Sequence, residues 1–244
     1  MGDHVNAFGQ PIGSPVPGWT QRSRPSRNTV EGRFCRLEGF NPSRHAADLH
    51  AANIAGDDGR GWTYMAYGPF GTLQDYLKWA EPASESLDPL YYAIIDKKTG
   101  KAVGLASLMR IDPANGAIEV GNIKYAPTLQ RTPMATEAMF LLMRMVFDDL
   151  GYRRYEWKCD SLNGPSRSAA LRLGFFYEGL FRQAVVYKGR SRDTAWFAMT
   201  DKDWAVLKPV YETWLAPDNF DGAGKQKQRL ADLISAARDA APRG

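Results

Sequence analysis

Only a few stretches of this sequence put polar side chains where they could do chemistry. The first is the loop 129–136, LQRTPMAT, which runs straight into an apolar pattern at helical spacing: Met134, Ala138, Leu141, Leu142, Met145 and Val146. Thr132 is placed to cap that helix, and Pro133 suits its first position, where a missing N–H costs nothing. A helix start aims unpaired N–H groups and the positive end of its dipole outward, which makes a seat for phosphate. The second is Glu119, the only carboxylate in the middle of the strand pattern Ala117–Tyr125. A charge inside a strand faces solvent, a salt-bridge partner or a site, where it binds or deprotonates a cationic group. The third is Asn163-x-x-Ser166, opening a short helix pattern over 165–173; both residue types are good helix caps.

The elements that would position these groups can be read in order. Residues 33–38 form a strand, and 45–54 form a helix. The aromatic, glycine-punctuated segment GWTYMAYGPF follows, and Thr72 caps a second helix from Leu73 to about Ala80. Trp62, Tyr64, Tyr67 and Phe70 in that segment are either packing under a loop or the wall of a substrate site. Leu90–Asp96 and 101–112 make a hairpin, and a Pro113–Gly116 turn leads to the strand Ala117–Tyr125. The long helix to Leu150 is stopped by Gly151, and a strand over 152–159 follows. A helical crossover makes that strand parallel to Ala117–Tyr125. The helix 165–173, strands 176–188 and 193–200 joined around Gly189-Arg190, and a helix 203–215 complete the pattern. The fold class is therefore α/β, a mixed sheet of roughly seven mostly antiparallel strands flanked by helices. The Gly121-Asn122 pair can form a bulge and splay that sheet.

Composition narrows the functions. The chain has 244 residues, 44% hydrophobic and 24% charged, enough for one domain with extensions. Residues 1–30, rich in Pro, Gly, Ser and Arg, read as an extended arm with Val16 and Trp19 as anchors. Residues 31–215 read as the domain, and 216–244 as a tail in which Leu230, Leu233 and Ile234 could make a docking helix. No run approaches the ~18–20 apolar residues of a membrane span. The first fifteen residues lack the basic prelude and apolar core of a signal peptide, and position 6 lacks the Ser or Thr of a myristoylation signal. Cys35 and Cys159, far apart, read as reduced thiols, and the expected compartment is cytoplasmic.

The three histidines, His4, His45 and His50, precede the putative centre of the sheet, and none accompanies the central strands. His45 and His50 do not share a helix face, so neither a metal site nor a Ser-His-Asp triad is expected. The net charge of +4 gathers at the two ends of the chain. No nucleic-acid motif accompanies it, and it reads as a solvated surface that also favours an anionic ligand.

The order strand, GNIKYAPTLQRTPMATEA, long helix, strand, Asn163-x-x-Ser166, short helix, Leu173-Gly174-Phe175 resembles the GCN5-related N-acetyltransferases (GNAT), and within them the RimJ/RimL-type branch. The resemblance covers about 34–199. The family's pyrophosphate loop follows Arg/Gln-x-x-Gly-x-Gly/Ala. Here it reads Gln130-x-x-Pro133-x-Ala135, with proline at the central glycine. The resemblance implies acetyl-CoA as co-substrate, no metal, and a primary amine as acceptor: a protein N-terminus, an amino acid or another small amine. It implies a monomer or homodimer, with neither membrane nor nucleic acid as partner; a non-catalytic acyl-CoA-binding relative is the alternative.

By the same resemblance, backbone groups of Asn122, Ile123, Lys124 and Tyr125 pair with the pantetheine arm. Gln130, Arg131, Thr132, Met134, Ala135 and Thr136 hold the pyrophosphate, and Asn163 and Ser166 contact the cofactor. Arg131 either adds a charge-assisted contact to the phosphate or faces solvent. Glu119 matches the position of a base. Many family members carry a tyrosine acid seven residues after the Asn, where this chain has Ala170, which leaves Ser166 as proton donor. Glu178 and Asp193 either bind a cationic acceptor or form surface salt bridges.

The chemistry is light. An amine with a pKa of about 10, or about 8 for an α-amino group, must lose a proton, and a thiolate of pKa about 8.5 leaves with little help.

Overall fold

The structure, a computed structural model, describes residues 4–56 and 58–241; the extreme ends of the arm and tail lie outside them. A small hairpin, β1 (His4–Val5) and β2 (Pro11–Ile12), precedes the main sheet. The sheet's strands are β3 (Val30–Glu31), β4 (Cys35–Gly39), β5 (Leu90–Asp96), β6 (Ala102–Asp112), β7 (Ala117–Tyr125), β8 (Arg154–Asp160), β9 (Phe176–Tyr187) and β10 (Arg190–Thr200). They lie in the order β3-β4-β5-β6-β7-β8-β10-β9, and every pairing is antiparallel except β7 with β8. The eighth strand beyond the sequence reading is the two-residue β3, too short to show a period of two.

Helices α1 (Pro42–Ile54) and α2 (Leu73–Glu85) cover one face, and α3 (Pro133–Arg144) and α5 (Asp201–Leu215) the other. Strand β5 shows why the sequence there is apolar throughout. Leu90, Tyr92 and Ile94 enter the core with α3, while Tyr91, Ala93 and Ile95 enter the core with α1 and α2. Thr72 caps α2 as expected, its hydroxyl accepting the Asp75 N–H at 3.1 Å. That helix runs on through Pro82 to Glu85, further than Ala80, because Ala80 and Ala83 still pack against the α1/α2 core.

The helix α3 begins at Pro133 with Thr132 at its cap. Its end differs from the simple helical pattern. Residues Met145–Asp149 form a wider π turn, with Leu150 N–H donating to Met145 C=O, and Gly151 then turns the chain at φ 66°. The wider turn lets Met145, Val146 and Phe147 all be buried in succession.

The arm packs along the domain at Trp19. Its indole N–H donates to Ala114 C=O at 2.8 Å, and Arg22 lies over its ring and donates to Gly151 C=O at 2.9 Å. This clamps the β6–β7 turn to the end of the α3 segment. Val16, the other expected anchor, is exposed. The docking helix of the tail is α6 (Leu230–Ala240), with Leu230 and Ile234 in the main core and Arg238 donating to Gly174 C=O.

Candidate active site

The site is built where the one parallel pair parts. Register partners run Ala117↔Arg154, Ile118↔Tyr155, Glu119↔Glu156 and Val120↔Trp157, and pairing stops there although both strands continue. Two neighbouring residues cause the parting. Gly121 and Asn122 form a bulge: between Ser107↔Gly121 and Leu105↔Lys124, β7 carries one residue more than β6. Asn122 stands at φ 50°, a left-handed conformation that Asn tolerates better than most residues. The Ser107 hydroxyl, buried, donates to Gly121 C=O at 3.1 Å and accepts from Asn122 Nδ2 at 3.0 Å, which fixes the bulge. Ile123 and Tyr125 are half-buried beyond it, and Lys124 is buried.

The far end of the opening is the start of α3. Gln130 Nε2 donates to Tyr125 C=O at 3.0 Å, tying the loop to the last residue of β7. Thr132 Oγ1 donates to Leu129 C=O at 2.6 Å and accepts the Ala135 N–H at 3.2 Å. Arg131 is exposed and stands at φ 61°. A left-handed residue just before a helix turns successive N–H groups to one side, the anion-binding form of backbone. Pro133, the first residue of α3, gives up one such donor. The left-handed turn of the loop stands at Arg131, two residues before Pro133. Met134 and Ala135 are half-buried against the core, and Thr136 is buried and accepts from Arg172 Nη1 at 3.1 Å, linking α3 to α4 (Gly164–Arg172).

Asn163 and Ser166 stand at the start of α4, on the side of the opening where the pairing stops at Trp157. Asn163 Oδ1 caps α4 by accepting the Ser166 N–H at 3.2 Å. The Ser166 hydroxyl accepts from Trp157 Nε1 at 2.9 Å. It also touches the Cys159 thiol: burial pushes that thiol up, and the Ser166 bond partly offsets this. Ala170 is fully buried under α4.

Glu119 lies on the other face of the sheet. Along β8, Tyr155, Trp157 and Cys159 face α3, whereas Glu156 and Lys158 face away from it. Glu119 is 3% exposed, so its charge is neither solvent-facing nor free: Arg110 Nη1 is 2.6 Å and Lys158 Nζ 3.0 Å from Oε2. Lys158 also binds Glu156 at 2.6 Å, and Arg154 joins Glu156 at 2.6 Å to Glu178 at 2.5 Å. The result is an alternating string of charges across β6, β7, β8 and β9. Burial raises the Glu156 carboxyl, but hydrogen bonds from Lys158 and Arg154 outweigh it and hold that pKa below the usual range. Glu178 is held low by its Arg154 bond. Asp193, the other acidic candidate, accepts the Gln183 N–H at 2.7 Å.

Sequence reasoning found Glu119 and missed its partners. The signal available was the alternation Arg154, Glu156, Lys158 in β8, which marks one charged face, though not what lies across from it. It also missed Glu137, a buried carboxylate of α3 that accepts the N–H groups of Arg33, Phe34 and Cys35 at 2.7, 2.7 and 2.8 Å.

The aromatic segment reaches over the opening from the acceptor face. The Trp62 ring lies 4.5 Å from Lys124 Nζ, Lys188 Nζ donates to Trp62 C=O at 3.0 Å, and Tyr64 Oη donates to Leu162 C=O at 3.0 Å. Tyr67 and Phe70 instead pack on Trp79 of α2, at 4.4 and 5.7 Å between ring centroids. Trp62 is itself buried, its ring 6.2 and 5.6 Å from those of Tyr67 and Phe70, so these three are packing, and of the four the half-buried Tyr64 is the one left to wall a site.

Comparison with known proteins agrees with this geometry. Residues 36–176 match the family described as Acetyltransferase (GNAT) domain. The chain is similar to the crystal structure of a GCN5-related N-acetyltransferase from Brucella melitensis, with 50% identity and a TM-score of 0.88 over 90% of this chain and 100% of that one. A probable acetyltransferase of the GNAT family from Chromobacterium violaceum is 38% identical, with a TM-score of 0.75 over 80% of this chain and 98% of that one. The uncharacterized N-acetyltransferase p20 of Bacillus licheniformis is 31% identical over 58% of this chain and 81% of its own. The chain therefore belongs to the GCN5-related N-acetyltransferase family and is an acetyltransferase.

Proposed function

We propose that this acetyltransferase moves the acetyl group of acetyl-CoA to a primary amine, and that the acceptor is of the RimJ/RimL type: a protein N-terminus, an amino acid or another small amine. The observation that carries the reading is the parting of β7 from β8 after Val120 and Trp157, which ends at the left-handed Arg131 and the N-terminus of α3.

In this reading the backbone of Asn122, Ile123, Lys124 and Tyr125, beyond the last β7–β8 register pair, pairs with the pantetheine arm. The loop residues Gln130, Arg131, Thr132, Met134, Ala135 and Thr136 surround the pyrophosphate with the N–H groups not already spent, as that of Gln130 is on Ala126 C=O and that of Ala135 on the Thr132 hydroxyl, and the Arg131 side chain adds charge. Asn163 and Ser166 hold the thioester end from the α4 side. The co-substrate supplies an already activated acyl group. The new bond joins the amine nitrogen to the acyl carbon, and the carbon–sulfur bond breaks. The proton released by the amine passes to Glu119 and on to water, and the Ser166 hydroxyl relays a proton from water to the departing thiolate. Glu119 and Ser166 stand on opposite faces of the sheet, so amine and thiolate are served from opposite sides of the opening. This suits a direct attack in which the nucleophile enters opposite the leaving group's donor.

Two measurements on the purified chain test the reading. Acetyl-CoA at a hundredfold excess over Kd should raise stability by ~2.7 kcal/mol through mass action, seen as a melting shift. Thiol release from acetyl-CoA should then depend on an added amine. A chain whose melting point does not move with millimolar acetyl-CoA or CoA overturns the binding half. A chain that binds and releases no thiol with any amine in a panel of peptides, amino acids and small amines overturns the transfer half.

A further inference from the structure

Two carboxylates stand directly opposite each other where the parallel strands are about to part. Glu119 and Glu156 are register partners, one step before the last paired position. Like charges placed so destabilise a sheet unless something neutralises them. The side chains are 4% and 13% exposed, so water screens them poorly. Lys158, the first β8 residue past the last pair, answers this. Its ammonium is 3.0 Å from Glu119 Oε2 and 2.6 Å from Glu156 Oε2, and its side chain is 6% exposed. It also sits 3.7 Å from the centroid of the ring of Trp196, its register partner on β10. Two carboxylates and one aromatic face therefore surround the ammonium, matching its three donors.

The geometry also says which way Glu119 faces. Both of its cations bind Oε2. Oε1 lies over Gly121, where a Cβ built on the glycine would be 3.6 Å from it. That oxygen thus points along β7 toward the bulge. The space that Gly121 leaves there is filled by the Met109 thioether, which packs beside Oε1.

We propose that Lys158 is the positioning residue for the amine side of the reaction, holding Glu119 by its Oε2 and so its Oε1 turned toward the bulge by bridging it to Glu156. The proposal rests on Glu119 receiving the proton of the amine. The charged groups that act on Glu119 are Arg110 from β6, Lys158 and Glu156 from β8, and, one step removed, Arg154 of β8 and Glu178 of β9. Arg110 is 55% exposed at its side chain, so its share is screened by solvent, while that of Lys158 is not. Removing the Lys158 charge leaves two buried carboxylates facing each other with only Arg110 on one and Arg154 on the other, and the repulsion favours a proton on one of the pair.

The test is the pH profile of kcat/KM for acetyl transfer, with carboxyl-carbon NMR titration of Glu119 as a readout that does not need activity. Lys158→Met keeps the apolar stem against Trp196. It should move the acidic limb of the profile upward by more than one pH unit and lower the rate at neutral pH at least tenfold, with most of the loss recovered at pH 9. The KM for acetyl-CoA should stay within about twofold of wild type. Adding Glu156→Gln to Lys158→Met removes the facing charge and should bring the limb back down. Lys158→Arg should restore most of the rate, and Glu156→Gln alone, which folds with all cations in place, should shift the limb downward. A Lys158→Met profile parallel to wild type at every pH, or one that Glu156→Gln does not correct, overturns the proposal. So does an unmoved Glu119 titration in that variant. The failure of the functional reading looks different: the Glu119 carboxyl titration shifts as described while the wild-type chain itself transfers acetyl to no amine, so that no rate profile exists to shift.

Discussion

The two faces of the opening between β7 and β8 recognise by different means. In the proposed reading the α3 face works through main chain: the edge of β7 beyond its last β8 pair, the left-handed Arg131 and the first turn of α3. Side chains there mostly brace the backbone, as Gln130 does for Tyr125 and Thr132 does for Ala135. On the opposite face the working groups are side chains gathered from different strands: Arg110, Glu119, Lys158 and Glu156. A site made of backbone tolerates changes of residue type as long as the path of the chain is kept. A site made of paired charges does not, because each deletion leaves a buried partner unpaired. The two faces should therefore respond to mutation in opposite ways.

The largest effect should come from Glu137, which braces the α3 face from behind. Its carboxylate accepts three N–H groups at the entry to β4, those of Arg33, Phe34 and the buried Cys35, within 2.7–2.8 Å. Glu137→Ala strands all three, and hydrogen bonds to a charged group are worth ~1.5–3 kcal/mol each. The expected loss is about 4 kcal/mol or more, read by denaturant unfolding. Full stability in the variant would mean that water enters and satisfies these donors at no expense.

Next is Glu119→Gln on the charged face. The transfer rate should fall about 10²-fold at neutral pH, the lower end of what a general base contributes. The sign with pH follows from the amine: as pH rises the acceptor deprotonates itself, so the deficit should shrink by pH 9.5. A deficit constant from pH 6.5 to 9.5 would assign Glu119 to binding rather than proton transfer.

Ser166→Ala should cost less, a loss of about tenfold or below, because a thiolate leaves easily near neutral pH. The same change leaves the Trp157 indole N–H without its acceptor at 2.9 Å, so a stability decrease of ~1 kcal/mol should accompany it. A variant with unchanged rate and lowered melting point would make Ser166 purely a brace for Trp157.

The contrast between faces also explains what could be read in the sequence. Strands Leu90–Asp96 and Ala117–Tyr125, the helix start at Pro133 and the cap at Thr132 follow from local patterns, and they stand where those patterns put them. The α3-face site is a contiguous stretch of chain, so it was legible along with them. The charged string was not. Arg110 and Lys158 are far from each other in sequence, and only the register β6↔β7↔β8 brings them to one carboxylate. The same holds for Glu137, whose partners are about a hundred residues away. The π turn after Arg144 was hidden because Met145, Val146 and Phe147 fit an ordinary helical apolar face nearly as well.

The smallest effect should be that of Pro133→Gly, although it changes the most conspicuous departure from the family's loop. Pro133 occupies the first position of α3, where its fixed φ is already helical and its missing N–H breaks no helical bond. Glycine would return one donor to the phosphate cradle, worth ~0.5–1.5 kcal/mol if it is used. It would also free the unbound loop, at a comparable entropic expense of ~0.4–1 kcal/mol on ordering. The two terms nearly cancel, so the Kd for acetyl-CoA, measured by calorimetry, should change by no more than a few-fold. The left-handed turn that shapes the cradle sits at Arg131, two residues earlier, and does not depend on the proline. A loss of binding beyond tenfold would show that the rigid ring at Pro133, rather than the turn at Arg131, holds the N–H groups in place. The α3 face would then depend on a particular side chain as the opposite face does, and the distinction between a backbone site and a side-chain site would fail.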